Sequence, residues 1–258
     1  MEFQLKEKEI KGQRLFYKQA GRGKEVFLLH GWGADSSALE PVAKHLAQFF
    51  TVYNFDFPGF GWSPPPQSVW SVHDYASLIE DFARLEGIEK PIILGHSFGG
   101  RISILLGARG LPAKIVLVDS AGILPKRSMD YYMKVYSYKA AKKFFSLPGL
   151  RNKKEEALSH WRKKSGSSDY QQAEGVMKQI FVKVVNEDLA LFLPQIKAPT
   201  LLVWGELDTA TPLADGQQME KAITGSGLAV LEGAGHYSYL ERLPQFLRIM
   251  DSFLAEDK

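Results

Sequence analysis

Gly95-His96-Ser97-Phe98-Gly99 constrains this chain more than any other stretch. A serine sits at the centre of G-x-S-x-G, directly after the apolar run Pro91-Ile92-Ile93-Leu94 and before the apolar-rich Arg101 to Ala108. Strand, glycine-flanked serine and helix together read as an elbow that lifts a serine hydroxyl out of a sheet. So tight a turn needs small residues two before and two after the serine, which Gly95 and Gly99 supply. A helix starting near Phe98 aims its N-terminal N–H groups at the same spot, where they favour negative charge. The combination predicts a nucleophile at Ser97.

A serine hydroxyl is a weak nucleophile at neutral pH and needs a base, which needs an orienting carboxylate. After an elbow of this kind the partners follow in the order serine, acid, histidine. Two histidines lie downstream. His160 sits in the basic stretch Ser159-His160-Trp161-Arg162-Lys163-Lys164 and reads as surface. His236 lies in Gly233-Ala234-Gly235-His236, just after the apolar run Leu228-Ala229-Val230-Leu231, and is the expected base. Two acids compete. Asp208 follows the apolar run Thr200 to Trp204, and Asp119 follows Lys114 to Val118; both leave the sheet at the same edge. Asp208 is favoured, with Asp119 expected to bond nearby backbone and orient the segment that follows it. Glu206 is expected to face solvent.

Acyl chemistry also needs donors for a developing oxyanion. One is the backbone N–H of Phe98, the residue after the nucleophile. The second is expected from Trp32, whose N–H lies in the glycine-flanked loop His30-Gly31-Trp32-Gly33 after the strand-like Val26 to Leu29. His30 and His96 are expected to be buried, hydrogen-bonded structural histidines.

His30-Gly31-Trp32-Gly33, Asp56-Phe57-Pro58-Gly59-Phe60-Gly61, Gly95 to Gly100, Trp204-Gly205-Glu206-Leu207-Asp208 and Gly235-His236 occur in the order of successive motifs of the α/β-hydrolase superfamily. The chain resembles that family over nearly its whole length. The resemblance implies Ser97 as nucleophile, His236 as base, Asp208 as acid, and the Trp32 and Phe98 amides as oxyanion donors. Family members with aspartate at the elbow are dehalogenases or epoxide hydrolases, so serine at 97 argues against both. Within the superfamily the chain resembles carboxylesterases, the carbon–carbon hydrolases of ring-fission products (through Ser97-Phe98-Gly99-Gly100) and the pimeloyl carrier-protein methyl esterase (through His30-Gly31-Trp32-Gly33).

Alternating strand and helix signals predict an α/β fold: a mostly parallel sheet of about eight strands with helices on both faces. Residues 3–9 and 13–19 alternate polar and apolar and suit an antiparallel edge hairpin. Short apolar runs at 25–29, 51–55, 91–94, 114–118, 200–204 and 228–231 read as strands buried on two faces. Ser71 and Asp74 form a capping-type start for a helix whose stripe is Val72, Tyr75, Ala76, Ile79, Phe82 and Ala83. A last helix from Pro244 is expected to bury Leu247, Met250, Phe253 and Leu254. Asp56 is expected to bond backbone in a tight turn.

Residues 124–195 break the alternation and read as helices inserted after the sixth strand. They are expected to form a helical cap over the catalytic edge, with 1–123 and 196–258 forming the core domain. Residues 126–183 hold 14 Lys or Arg against 5 Asp or Glu, whereas the whole chain carries only +3. Such an excess steers an anionic or carrier-linked ligand, or is simply a solvated face. The pocket is expected to be apolar and aromatic, lined by the side chains of Trp32, Phe98 and Tyr237 and by the cap residues Tyr131, Tyr132 and Tyr136.

At 258 residues and 45% apolar content the chain supports one large core. No apolar run approaches the roughly 20 residues of a membrane span. The charged N-terminus reads as a strand rather than a signal peptide, and there are no cysteines. A cytoplasmic protein follows as the expectation, with no metal or cofactor and no nucleic-acid partner. The expected activity is hydrolysis of a carboxylic ester through an acyl-enzyme. Carbon–carbon cleavage of a vinylogous diketone, carrier-protein methyl ester hydrolysis, and a non-catalytic receptor on the same fold are the alternatives.

Overall fold

The computed structural model describes residues 2–124 and 168–258. Eight strands form one sheet in the order β1-β2-β4-β3-β5-β6-β7-β8. They are β1 (Gln4–Ile10), β2 (Gln13–Ala20), β3 (Glu25–Leu29), β4 (Thr51–Asp56), β5 (Ile92–His96), β6 (Lys114–Val118), β7 (Thr200–Gly205) and β8 (Gly227–Leu231). β2 pairs antiparallel with both β1 and β4; β4, β3 and β5 to β8 are parallel. The helices are α1 (Glu40–Leu46), α2 (Val72–Glu86), α3 (Phe98–Ala108), α4 (Ser168–Gln172), α5 (Gly175–Val184), α6 (Leu213–Ala222), α7 (Ser238–Glu241) and α8 (Leu243–Phe253). This is the expected α/β-hydrolase fold.

Strand periodicity divides the core into two layers. In β3, Phe27 and Leu29 face one side with the α2 and α3 residues Tyr75, Ile79, Phe82, Ile102 and Leu105. Val26 and Leu28 face the other, with Val42 and Leu46 of α1 and Phe246 and Met250 of α8. The start of α2 is a reciprocal capping box: Ser71 accepts from the Asp74 N–H and Asp74 accepts from the Ser71 N–H. Its end is Gly87, in the left-handed region at φ 70°.

Two expectations need correction. β8 is not buried on both faces: it is the edge of the sheet, paired only with β7, and Val230 is 37% exposed. Both α6 and α8 pack against β8, Leu228 in one layer and Leu231 in the other, but an edge strand is only partly covered, which an apolar run by itself cannot show. In α8 the fully buried residues are Phe246, Met250 and, just beyond its end, Leu254, whereas Leu247 and Phe253 are only partly buried. The stripe is rotated toward Phe246.

The order β4-β3-β5 reverses the winding of the sheet between β3 and β5. In open parallel sheets such a reversal opens a crevice at the carboxyl ends of the strands. Register brings the strand ends level there: the Ser97 N–H donates to Val118 O, and the Asp119 N–H to Val203 O. Among the described residues no helix is long and apolar enough to cross a membrane.

Candidate active site

Ser97 stands between β5 and α3 at φ 51°, a left-handed conformation that a non-glycine residue holds only under constraint. The constraint comes from close packing. A Cβ at Gly95 would overlap Ser103 Oγ and Gly99 O, and one at Gly99 would overlap the carbonyl of Leu29 on β3. The glycines at 95 and 99 are therefore needed for backbone approach, since neither has a positive φ. The Ser97 side chain is left partly exposed at the crevice.

His236 and Asp208 meet it there. Ser97 Oγ lies 3.0 Å from His236 Nε2, and His236 Nδ1 lies 2.8 Å from Asp208 Oδ2. Three side chains from the ends of β5, β7 and β8 thus form one continuous hydrogen-bonded chain. Asp208 is itself held by its own loop: Oδ1 accepts from the Ala210 and Thr211 N–H groups at 2.8 and 3.0 Å, and Oδ2 accepts from Thr211 Oγ1 at 2.7 Å. Burial alone would raise the Asp208 pKa, but the bonds from His236 and Thr211 outweigh it and hold the carboxyl below its usual value. Burial pulls the His236 pKa down, whereas the Asp208 bond and charge push it up, and the net displacement is upward. The carboxylate therefore favours the imidazolium form that a proton-accepting base passes through.

Asp119 does not reach His236. It is fully buried and accepts from the Gly205 N–H at 2.8 Å and from Ser238 N–H and Oγ at 3.1 and 2.6 Å. The expected local bonds to the following segment are replaced by bonds to two distant loops, a pairing only the sheet order creates. Glu206 is exposed and accepts from the Gly233 N–H at 2.9 Å.

The other two histidines in the crevice are buried. His30 Nδ1–H donates to Gly31 O at 2.7 Å while Nε2 accepts from the Phe57 N–H at 3.0 Å, so both nitrogens are used and burial holds the ring neutral. His96 Nε2–H donates to the backbone carbonyl of His236 at 2.8 Å. Asp56 accepts from the N–H groups of Ser36 and Trp62.

The Trp32 and Phe98 N–H groups belong to the loop after β3 and to the first turn of α3, and among the described residues neither donates to a protein acceptor. The Phe98 side chain is 3% exposed, packed against Trp32, Phe57 and Tyr75, and so belongs to the core rather than the pocket wall. Trp32 is gripped between Phe60 and Phe181 of α5, at ring separations of 4.9 and 5.2 Å. Beside it lies a cavity of about 310 Å³ lined by Trp32, Gly33, Phe60, Asp169, Glu174 and Met177. Tyr237 is 46% exposed, with its ring 5.7 Å from that of His236. Tyr131, Tyr132, Tyr136 and His160 lie outside the described residues, as do most of the basic residues between 126 and 183.

Sequence reasoning missed Thr211, Ser238 and Asp169. Thr211 had a local signal, a hydroxyl three residues after Asp208 in a turn where aspartate bonds backbone ahead of it. Ser238 and Asp169 had none, because their neighbours come from other strands. Among the described residues no group of His, Asp or Glu is placed to hold a metal ion.

A serine, histidine and aspartate at three strand ends of a doubly wound sheet, beside a helix N-terminus, is an arrangement suited to hydrolytic chemistry. Residues 26–248 match the model of the alpha/beta hydrolase family, and the chain belongs to that family. A pimeloyl-[acyl-carrier protein] methyl ester esterase of Aeromonas hydrophila is 24% identical over 255 residues, covering 91% of this chain and 97% of that protein. The enol-lactonase of Burkholderia xenovorans superposes with a TM-score of 0.75 at 21% identity, over 97% of this chain and all of the other. A mutant meta-cleavage product hydrolase of Pseudomonas fluorescens gives 0.73 at 20%, over 98% of each chain. At such identities the structural likeness concerns the fold. The chain is thus a member of a hydrolase family that has esterase relatives.

Proposed function

We propose that this hydrolase cleaves a carboxylic ester through an acyl-enzyme on Ser97. The observation that carries the reading is the unbroken chain Ser97 Oγ–His236–Asp208, with separations of 3.0 and 2.8 Å. In this reading His236 Nε2 takes the Ser97 proton as Oγ attacks the ester carbonyl, while Asp208 holds Nδ1–H and stabilises the imidazolium. The Trp32 and Phe98 amides receive the tetrahedral oxyanion, a contribution of about 3 kcal/mol for each donor at comparable sites. His236 then protonates the leaving alcohol. A water deprotonated by the same imidazole releases the acid and restores Ser97. The chemistry uses only the chain's own groups and water.

Residues 124–195 serve in this reading as the cap that shapes the pocket, with 1–123 and 196–258 as the core. The grip of Phe181 on Trp32 supports it, since it packs α5 against the oxyanion loop. In this reading the substrate is a small acyl compound. A carrier-linked one is the variant suggested by the Aeromonas relative.

The test is fluorophosphonate labelling of wild type and Ser97→Ala, followed by turnover of p-nitrophenyl esters, thioesters, lactones and a vinylogous 1,5-diketone. Labelling lost in Ser97→Ala, with ester turnover, is the expected result. Turnover of the diketone alone would assign carbon–carbon hydrolysis instead. Tight ligand binding with neither labelling nor turnover would make the protein a receptor.

A further inference from the structure

Asp119 takes no part in the steps above, yet it is the charged group most deeply enclosed beside them. It follows β6 with φ 43°, a left-handed conformation that an aspartate keeps only when its surroundings impose it. Its two oxygens serve two different loops. Oδ1 accepts from the Gly205 N–H at 2.8 Å, where β7 ends and the loop to Asp208 begins. Oδ2 accepts from Ser238 N–H and Oγ–H at 3.1 and 2.6 Å, two residues beyond His236. Its carbonyl lies 3.0 Å from Thr211 Oγ1, the same hydroxyl that is 2.7 Å from Asp208 Oδ2.

We propose that Asp119 is a positioning residue, joining the loop that carries Asp208 to the loop that carries His236 so that Nε2 stays aimed at Ser97 Oγ. This role rests on the acyl-transfer reading and deepens it. Backbone bonds also tie the two loops, as from the Leu207 N–H to Ala234 O at 2.8 Å. A carboxylate does more than such a bond: it gathers three donors at one point and adds a negative charge on the side of the imidazole.

Among the described residues the titratable groups facing His236 are Asp208, Asp119, Asp169, His96 and Tyr237; those facing Asp119 are Asp208, His236 and Tyr239. Burial pushes Asp119 up to about 7 against the pull of its three donated bonds, and the nearby Asp208 charge acts in the same direction as burial. His236 is also raised above its ordinary value, by its bond to Asp208 and by the nearby carboxylate charges, so acid protonates both groups. At low pH, protonation removes both the free base and the clamping charge.

The experiment measures kcat and KM from pH 5 to 9 for wild type, Asp119→Asn and Ser238→Ala, each checked by thermal melting and fluorophosphonate labelling. In wild type the acidic limb of kcat/KM should fall more steeply than a single ionisation allows. Asparagine presents one acceptor face and one donor face, so it opposes one of the two loops. Asp119→Asn should lose about 10- to 100-fold in kcat, as expected for a base displaced by up to an ångström. KM should stay within about two-fold and the limb should fall with unit slope. Ser238→Ala removes one neutral donor and should cost about 2- to 10-fold in kcat with the steep limb kept. Folded Asp119→Asn with wild-type kcat, or a wild-type limb of unit slope, overturns the proposal alone. If Asp119→Asn does not fold, Ser238→Ala decides, and unchanged kcat there overturns it. Wild type that neither labels nor turns over ester sinks the acyl-transfer reading and this role with it.

Discussion

The ring N–H of His96 donates to the main-chain carbonyl of His236 at 2.8 Å, so the residue before Ser97 holds the residue that faces Ser97. The contact spans 140 positions of sequence and closes the elbow onto the histidine loop. Burial pushes His96 down to about 3, which keeps its ring neutral through the working pH range. His96→Leu leaves the His236 carbonyl unpaired and buried beside the nucleophile. The variant should lose about 1–3 kcal/mol of stability in a urea titration. Its kcat should fall about 10-fold or more through a displaced base. An active, equally stable His96→Leu would remove this residue from the support of the site.

The pH dependence has a definite sign. His236 must be neutral to accept a proton, and its pKa is displaced upward from 6.5. The acidic limb of kcat/KM should therefore have its midpoint above 6.5, and Asp208→Asn should move it lower while reducing kcat by about 10⁴-fold. Stability follows the same pair. The raised His236 contributes below 6.5, and that contribution is lost as pH rises through the folded value. The lowered Asp208 contributes above 3.8, and its share is lost as pH falls through its depressed value. A pH–rate profile with its midpoint under 6.5 would contradict the pairing.

Glycine matters in the elbow because of what lies next to it. A Cβ at Gly99 would meet the carbonyls of Leu29 and His30, neither of which is free to move. Gly99→Ala should cost about 2–3 kcal/mol and slow Ser97 labelling. Gly227, with open space around it and no positive φ, provides the control. Gly227→Ala should change stability by no more than about 0.5 kcal/mol. Equal thermal shifts in the two variants would count against the packing account.

Arg101 anchors the junction between α5 and the core. It is 5% exposed and donates to the Glu187 carbonyl at 2.8 Å, while the Glu187 carboxylate accepts from the Val72 N–H at the start of α2. A carboxylate there suits the positive end of the helix. Arg101→Met keeps the bulk and removes the donor, and should destabilise by about 1.5–3 kcal/mol. Equilibrium denaturation reads the loss directly, and an unchanged midpoint would show that the bond is replaced by another.

The sheet, the elbow and the capping box at Ser71 and Asp74 were legible in the residues because each is encoded locally. Short apolar runs, glycines around Ser97 and a serine three before an aspartate need no distant partner. The loop histidine at 236 was legible for the same reason: glycines mark it and an apolar run precedes it. The division of labour between Asp208 and Asp119 was read in favour of Asp208, but local pattern alone did not decide it. Both follow apolar strands and both face the same edge, and only the order β6-β7-β8 puts one beside His236 Nδ1 and the other beneath Gly205 and Ser238. The exposure of β8, the burial of the Phe98 ring and the seating of Trp32 against Phe181 were likewise decided by which elements pack together. Sequence fixes short-range conformation through sterics and periodicity. Hydrogen-bond partners and burial across tens of residues are set by how the layers stack, and that stacking exists only in the folded chain.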